Sequence, residues 1–590
     1  MIDGSGDGSG DEPLDEEDAL LRWGWKVVAL ATSLVIVASA VRGVRRGYEL
    51  VGDNALIELR ARDVLTEHHP FLGTWSSASI SSSVDVNHPG PLLFDLLAAP
   101  VRLLGGATGT AITVAVLAVV VVWTVGFVTS RAAGPAAALV AQVVTAGIAW
   151  TVGSELLYDA WQPNVLVLPF WLLLCTVWAV VVDRVELLPV AVLVGSFCMQ
   201  THLAYLFLVP ILLAFALGVV VLRRRPRGSG RFDDLWAPLR TTAIVGVVLW
   251  AQPVWEQLFG PGRGNLGRLL TAGTGGSSSS EATAHTGVSL GVRLFSSVLA
   301  QPPWWLRPGF DTSIPPSTWV DTPGGRVLSA PGLTGARPAV AALGALVGVV
   351  VVGWLVARRR PASRAVAQGY WVLALCAAVA LVTLVITPID VIGLTPHKIR
   401  YLWIIGAFAT FLLLLTILSL LRPKARRVAL VAVTALGLLA VVATVPFHAS
   451  AGGPVELRAS YESVGDLRSQ LAEYFAHDRS APDAVRFDAS GIGFAEPYTS
   501  PVMAQLVESG VDLAVDDVAL SRQLGPDRLA DRSDAGRPLV YVRAGPAALE
   551  DVPGVERIAF YDGDRSPFNR LDVTDRAVAV FLSRDGEVHG

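Results

Sequence analysis

The sequence predicts a polytopic α-helical membrane protein of about eleven spans, followed by a soluble α/β domain on the extracytoplasmic side. Three observations carry that expectation. Only 16% of the 590 residues are charged, where a soluble domain carries about a quarter. Apolar segments close to the ~20 residues that cross ~30 Å of hydrocarbon recur between residues 25 and 447. From Pro454 onward the chain turns polar, and helical and strand patterns alternate.

Composition narrows the class further. Mean hydropathy is +0.53. The net charge of −4 is small and excludes the basic footprint of a nucleic-acid partner. The three cysteines, Cys175, Cys198 and Cys376, sit inside apolar stretches, as small core residues do, and form no disulfide frame or metal cluster. Arginine dominates the basic residues and Ala, Val, Gly and Leu the whole, a bias associated with high-GC bacteria.

Residues 1–22 are rich in Gly, Asp and Glu and lack an apolar run, which predicts a disordered cytoplasmic tail and no signal peptide. The predicted spans are 25–42, 106–128, 135–152, 164–182, 187–201, 203–222, 238–255, 338–357, 366–387, 400–421 and 428–447. The segment 187–201 is short and bounded by Pro189 and His202, which fits a tilted or broken span. Every second connection collects basic residues: Arg131, Arg184, Arg223–Arg231, Arg358–Arg364 and Arg422–Arg427. The inward bias of positive charge then places the N-terminus inside. Arg42, Arg45 and Arg46 dissent, because that orientation puts them outside.

The outer side receives the long connections: 43–105, the turn 153–164, the loop 255–337 with its flexible run Gly275–Ser280, the turn 388–400, and everything after His448. The domain 448–590 reads as helices at Leu467–Phe475 and Met503–Glu508, with strands at Ala484–Phe487, Val511–Val515, Pro538–Arg543 and Arg557–Tyr561. It has no glycine-rich phosphate loop and no nucleophile motif.

In the first outer loop, Ile57, Ala61, Val64 and Leu65 fall at helical spacing, with Glu58 and Arg62 four apart on another face. That pattern predicts an amphipathic helix lying in the headgroup plane. Asp53 at its start is either an N-cap or a catalytic carboxylate. Farther on, Asn87-His88-Pro89-Gly90-Pro91-Leu92 makes a stiff corner before an apolar stretch, with His88 a candidate donor to phosphate or sugar.

These features together resemble the GT-C superfamily of membrane glycosyltransferases, which use polyprenyl-phosphate sugars. Asp53 to Asp63, with Arg62-Asp63 for an Arg-Glu pair, is similar to the first loop of bacterial aminoarabinose and mannosyl transferases. His88-Pro89-Gly90-Pro91-Leu92 stands where that group has a Pro-Pro-Leu corner. Asn54 replaces the group's second acidic residue, and the corner carries an extra glycine. The resemblance covers 43–105 by motif and the rest by topology. It implies sugar transfer from a polyprenyl-phosphate donor, with arabinose or mannose expected of an actinobacterial member, to a glycan or glycolipid acceptor of the cell envelope. Asp53 then becomes the first choice for the base that takes a proton from the acceptor hydroxyl.

Substrate-binding candidates are Arg62, Asp63, His88, Glu155, Asp159, Gln162, His202, Lys398, Arg400 and Tyr401. Glu155, Tyr158, Asp159, Trp161, Gln162 and Asn164 crowd one short turn, where Trp161 reads as an interfacial anchor. Gln200, Thr201 and His202 interrupt two apolar segments, for a cavity or for packing. Lys398 and Arg400 run against the inward bias of charge, as phosphate partners or as snorkelling side chains. Gln301-Pro302-Pro303-Trp304-Trp305 is expected on the membrane surface, with Glu256 and Asn265 as weaker rim candidates.

Asp53, Glu155 and Asp159 offer the oxygen ligands a divalent cation takes, without a diagnostic spacing. Two other classes remain open: a transporter or lipid flippase without covalent chemistry, and an assembly or sensor protein acting through the domain after 448.

Overall fold

The structure is a computed structural model that describes residues 16–588 apart from 77, 80–83, 225–232, 261, 263, 274–284, 303–304, 308–317, 323–324, 330–332, 390–395, 450–453, 491, 493–495 and 564–576. Most of the predicted tail and the Gly275–Ser280 run lie outside the described residues.

Helix α1 (Glu16–Arg45) begins seven residues earlier than the tail reading of 1–22 allows. It is followed by α2 (Asp53–Asp63), α3 (Leu92–Leu104), α4 (Gly106–Ala133), α5 (Pro135–Val152), α6 (Gln162–Val165) and α7 (Val167–Val181). Next come α8 (Leu188–Thr201), α9 (Leu208–Arg224), α10 (Asp233–Phe259), α11 (Gly264–Gly273) and α12 (Gly287–Leu299). The bundle closes with α13 (Ala336–Arg358), α14 (Arg364–Val385), α15 (Tyr401–Leu420) and α16 (Pro423–Thr444).

Among the described residues, nine helices are long and apolar enough to cross a bilayer, and they coincide with nine of the predicted spans. The other two differ for physical reasons. Helix α8 has 14 residues, about 21 Å, and stops at the extended residue His202. Helix α10 has 27 residues, but Arg240, Gln252, Glu256 and two internal prolines dilute its apolar content.

The antiparallel run sorts the connections to two ends. Arg184 donates to the Arg131 carbonyl at 2.7 Å, Arg223 to that of Val181 and Arg360 to that of Ser419, so the arginine-rich connections share one end. Asp53, the turn 153–164, His202 and Lys398–Tyr401 lie at the other. Arg42 belongs there too, where it donates to the Val445 carbonyl at the end of α16. The three dissenting arginines are therefore real members of the opposite end.

Beyond the bundle, α17 (Tyr461–His477), α18 (Thr499–Glu508) and α19 (Val518–Leu524) pack on a five-stranded sheet. A separate hairpin, β1 (Thr318–Thr322) and β2 (Gly325–Ser329), lies in the long loop after α12. The sheet holds β3 (Ala484–Asp488), β4 (Asp512–Val515), β5 (Leu539–Ala544), β6 (Val555–Tyr561) and β7 (Val578–Ser583) in the order β4-β3-β5-β7-β6. Strand β3 pairs in parallel with β4 and β5, and β7 runs antiparallel between β5 and β6. The six predicted elements of this domain are present, and β7 adds a strand the pattern did not reveal. All six of its residues are buried, and a strand covered on both faces loses the alternation that marks strands in sequence.

Helix α2 sits between the two domains, and this corrects the expectation of a helix in the headgroup plane. Ile57, Ala61 and Val64, from the predicted apolar face, join the core of the membrane bundle. Leu56 and Leu59, on another side, join the core of the C-terminal domain. Leu65, assigned to the apolar face, is exposed. Three of the four residues assigned to the apolar face are buried, and their partner is protein, not lipid.

Trp305 is likewise not on the surface. It is buried against Gly406 and Gly147, and its indole donates to Thr410 at 2.8 Å. Trp304 lies outside the described residues. The three cysteines are free and buried.

Candidate functional site

The site is assembled where the first turn of α2 meets the turn after α5. Gly52, with φ of 51°, is the N-cap of α2, so Asp53 is not needed as a cap. Its carboxylate instead accepts a hydrogen bond from the Trp161 indole at 2.9 Å. Asp53 is open to solvent, in contrast to its buried neighbours along α2. Burial in the surrounding protein nevertheless raises its pKa, against the lowering effect of the Trp161 bond.

The Trp161 ring links this carboxylate to cations. The Arg400 guanidinium lies 5.4 Å from the indole, and the His397 ring meets it edge-on at 5.0 Å. Carboxylate and guanidinium are thus one indole apart, the carboxylate at its N–H.

Asp159 forms the second half. It accepts from Asn54 at 2.8 Å, from Asn164 at 2.9 Å and from the Trp161 backbone at 2.9 Å. Burial raises its pKa, opposed by these donors and by Arg400. Asn54, the departure from the acidic pattern, is here a donor that an acid could not replace without placing two buried carboxylates together.

His88 and His202 stack at 5.0 Å. Each Nδ1 accepts a backbone N–H at 3.2 Å, His88 from Leu203 and His202 from Ala204, so each Nε2 carries the proton. Burial and the neighbouring His202 push His88 well below the usual range. Burial, with Lys398 and Arg400, brings His202 down to about 4. Both rings are neutral donors at pH 7.

The extra glycine of the corner has a steric explanation. A Cβ on Gly90 would stand 2.1 Å from the Gln200 amide oxygen, and the Gly90 N–H donates to the Gln200 carbonyl at 3.3 Å. Gln200 also donates to Leu249 at 2.7 Å, so this break packs the corner against α10.

Other candidates stand apart from this group. Arg62 pairs with Glu58 at 3.0 Å and with Glu508, and Asp63 pairs with Arg60 at 2.8 Å and with Arg528 at 2.5 Å. Both are spent holding the C-terminal domain. Glu155 is buried and paired with Arg458. Gln162 donates to Thr74 at 2.8 Å, and Tyr401 is buried with its hydroxyl 3.5 Å from the Ala380 carbonyl. Glu256 accepts the Asn265 backbone N–H at 2.8 Å, and the Asn265 side chain fixes the backbone of Asn87.

Sequence reasoning missed Trp161 as the connector, since a tryptophan at that depth reads as an anchor. It also missed Tyr461 of the C-terminal domain. The Tyr461 ring meets Tyr48 at 5.8 Å, Tyr48 in turn meets Tyr158 at 5.0 Å, and burial, followed by the Asp159 carboxylate, raises the pKa of Tyr461. No local signal ties residue 461 to residue 159. Among the described residues, no three His, Cys, Asp or Glu side chains gather as a metal site.

No protein-family model and no curated protein matches the sequence. Comparison with solved structures does find relatives in shape. ArnT from Cupriavidus metallidurans, in a structure bound to undecaprenyl phosphate, is 13% identical with a TM-score of 0.50, covering 95% of this chain and 98% of its own. The oligosaccharyltransferase AglB from Archaeoglobus fulgidus, solved with an inhibitory peptide and a dolichol-phosphate, is 14% identical with a TM-score of 0.40, covering 88% and 70%. The likeness to ArnT, over nearly the whole of both chains, is one of architecture: this multi-pass membrane protein shares the fold of that structure.

Proposed function

We propose that the protein is a glycosyltransferase that moves a sugar from a polyprenyl-phosphate donor to a glycan or glycolipid acceptor of the cell envelope, on the extracytoplasmic side. The arginine-rich connections then face the cytoplasm and the C-terminal domain lies outside, as the inward bias of positive charge requires.

One observation carries this reading: Asp53 is open to solvent at the bundle end, bonded to the same indole on which Arg400 rests. The acceptor hydroxyl gives its proton to Asp53, and its oxygen bonds to the anomeric carbon of the sugar. The bond from that carbon to the phosphate oxygen breaks, and polyprenyl phosphate leaves with the electron pair. Arg400 and Lys398 stabilise the charge on the leaving phosphate. A base with a raised pKa suits the step, because its proton affinity approaches that needed at working pH. The neutral Nε2–H groups of His88 and His202 supply donors to sugar or phosphate oxygens without competing cationic charge.

The test is transfer from a radiolabelled polyprenyl-phosphate sugar by the purified protein and by Asp53→Asn. Loss of product with an unchanged melting temperature supports Asp53 as base. Product at the native rate removes Asp53 from the step. Movement of lipid or sugar across vesicles with no covalent product would favour a flippase instead.

A further inference from the structure

The arginines that close α1 are absorbed neither by the site nor by the positive charge of the opposite end. Two chain segments bring guanidinium groups onto a ring supplied by a third. Arg42 from α1 and Arg46 just beyond its end lie 5.2 and 5.1 Å from the centre of Phe447, which follows α16, and Arg458 from the start of the C-terminal domain lies at 5.1 Å. Among the described residues, none of Arg42, Arg45 and Arg46 is ion-paired. The carboxylate that reaches the group, Glu155, is held by Arg458. Arg42 spends Nη1 on the Val445 carbonyl, while Nε and Nη2, the edge that grips an oxyanion in two bonds, are buried without an acceptor. Three arginines against one acid leave an unbalanced positive cluster.

Below the cluster the surface is apolar. Helices α1 and α16 pack side by side, and Leu34, Val37 and Val41 on one, with Leu439, Val442 and Val445 on the other, are exposed in rows that run up to it. An exposed apolar strip about 10 Å long, capped by guanidinium groups, has the pattern of one amphiphile: acyl chains below and an anionic headgroup above.

We propose that Arg42, Arg46 and Arg458, gathered on Phe447, bind the phosphodiester headgroup of an anionic membrane phospholipid whose acyl chains lie along α1 and α16. The lipid is a bound component and not a reactant. It screens charge that would otherwise repel between α1 and the C-terminal domain. The turn 153–164 connects this place to the candidate site, since Ser154 donates to the Pro446 carbonyl at 2.7 Å and Trp161 lies seven residues on.

The test uses the full-length protein in vesicles of phosphatidylcholine alone, of phosphatidylcholine with phosphatidylglycerol, and of phosphatidylcholine with polyprenyl phosphate. Retained lipid is read by native mass spectrometry and the melting temperature is read in each. Phosphatidylglycerol is expected to co-purify with the native chain and raise its melting temperature. Arg42→Gln/Arg46→Gln should hold it about 30-fold more weakly. Arg131→Gln, at the opposite end, should retain it fully. Equal retention by the double variant, no preference for phosphatidylglycerol in the native chain, selective retention of polyprenyl phosphate, or equal protection by inorganic phosphate would each overturn the proposal. None of these readouts depends on sugar transfer, so they stand whatever the outcome for Asp53.

Discussion

Asp53 and Glu58 are acids five residues apart on one helix, and their surroundings give them opposite characters. Asp53 is open at the first turn, its single side-chain donor is a neutral indole, and burial of the surrounding site raises its pKa. Glu58, in the body of α2, is fully buried. Arg468 grips it with two bonds of 2.8 and 2.9 Å, Arg62 adds a third partner, and a Cβ on Gly106 would stand 2.1 Å from it. Burial works to raise its pKa, but Arg468 and Arg62 outweigh that and hold it below the usual carboxylate range. A carboxylate matched by cations is a fastener. One left with a neutral donor and an opening to water is available for chemistry.

The largest effect that could break this contrast is on transfer. Asp53→Asn should lower the rate by about 10²–10⁴-fold in the labelled-donor assay. Because a raised carboxylate pKa costs stability at neutral pH and is relieved by protonation, the same variant should melt at or above the native temperature. A large drop in melting temperature would instead make Asp53 a structural residue.

Arg468→Leu should do the reverse. It strands Glu58 in the domain junction and should cost about 3–5 kcal/mol in unfolding experiments, while Glu58→Leu/Arg468→Leu should cost less than either single change. If the double variant is worse than both, the junction depends on the pair for more than charge balance. Gly90→Ala, which forces Gln200 away from the corner, should cost about 1–3 kcal/mol in thermal denaturation. Trp161→Phe keeps the ring under Arg400 but removes the bond to Asp53. It should lower the transfer rate by about 1 kcal/mol in activation free energy, roughly 5-fold.

The smallest effect is in pH. Glu58 has a folded pKa below its unfolded value, so its stabilisation is complete above the unfolded pKa near ~4.3 and is lost as pH falls through the folded one. Melting curves below about pH 4.3 should therefore be less steep in Glu58→Gln than in the native chain. Asp53 has the opposite sign, and the acid limb of transfer should lie above the ordinary aspartate value near ~3.9.

The membrane plan was legible in the sequence because lipid imposes a fixed length and composition on each span, and the strands of the soluble domain were legible wherever one face met water. Strand β7 and Trp305 were not, since burial on all sides erases periodicity and a buried tryptophan looks like an anchored one. The apolar face of α2 could be read from Ile57, Ala61 and Val64, but not what it packs against. Sequence spacing alone put Asp53 just beyond the first span and Lys398 and Arg400 at the start of the tenth predicted one. The tertiary structure alone decided that Trp161 joins Asp53 to Arg400, that Asn54 holds Asp159, and that Arg62 and Asp63 are taken by Glu508 and Arg528. Hydropathy is a property of short stretches and survives in one dimension. A carboxylate's role depends on which cations reach it, and here those cations come from residues up to 465 positions away.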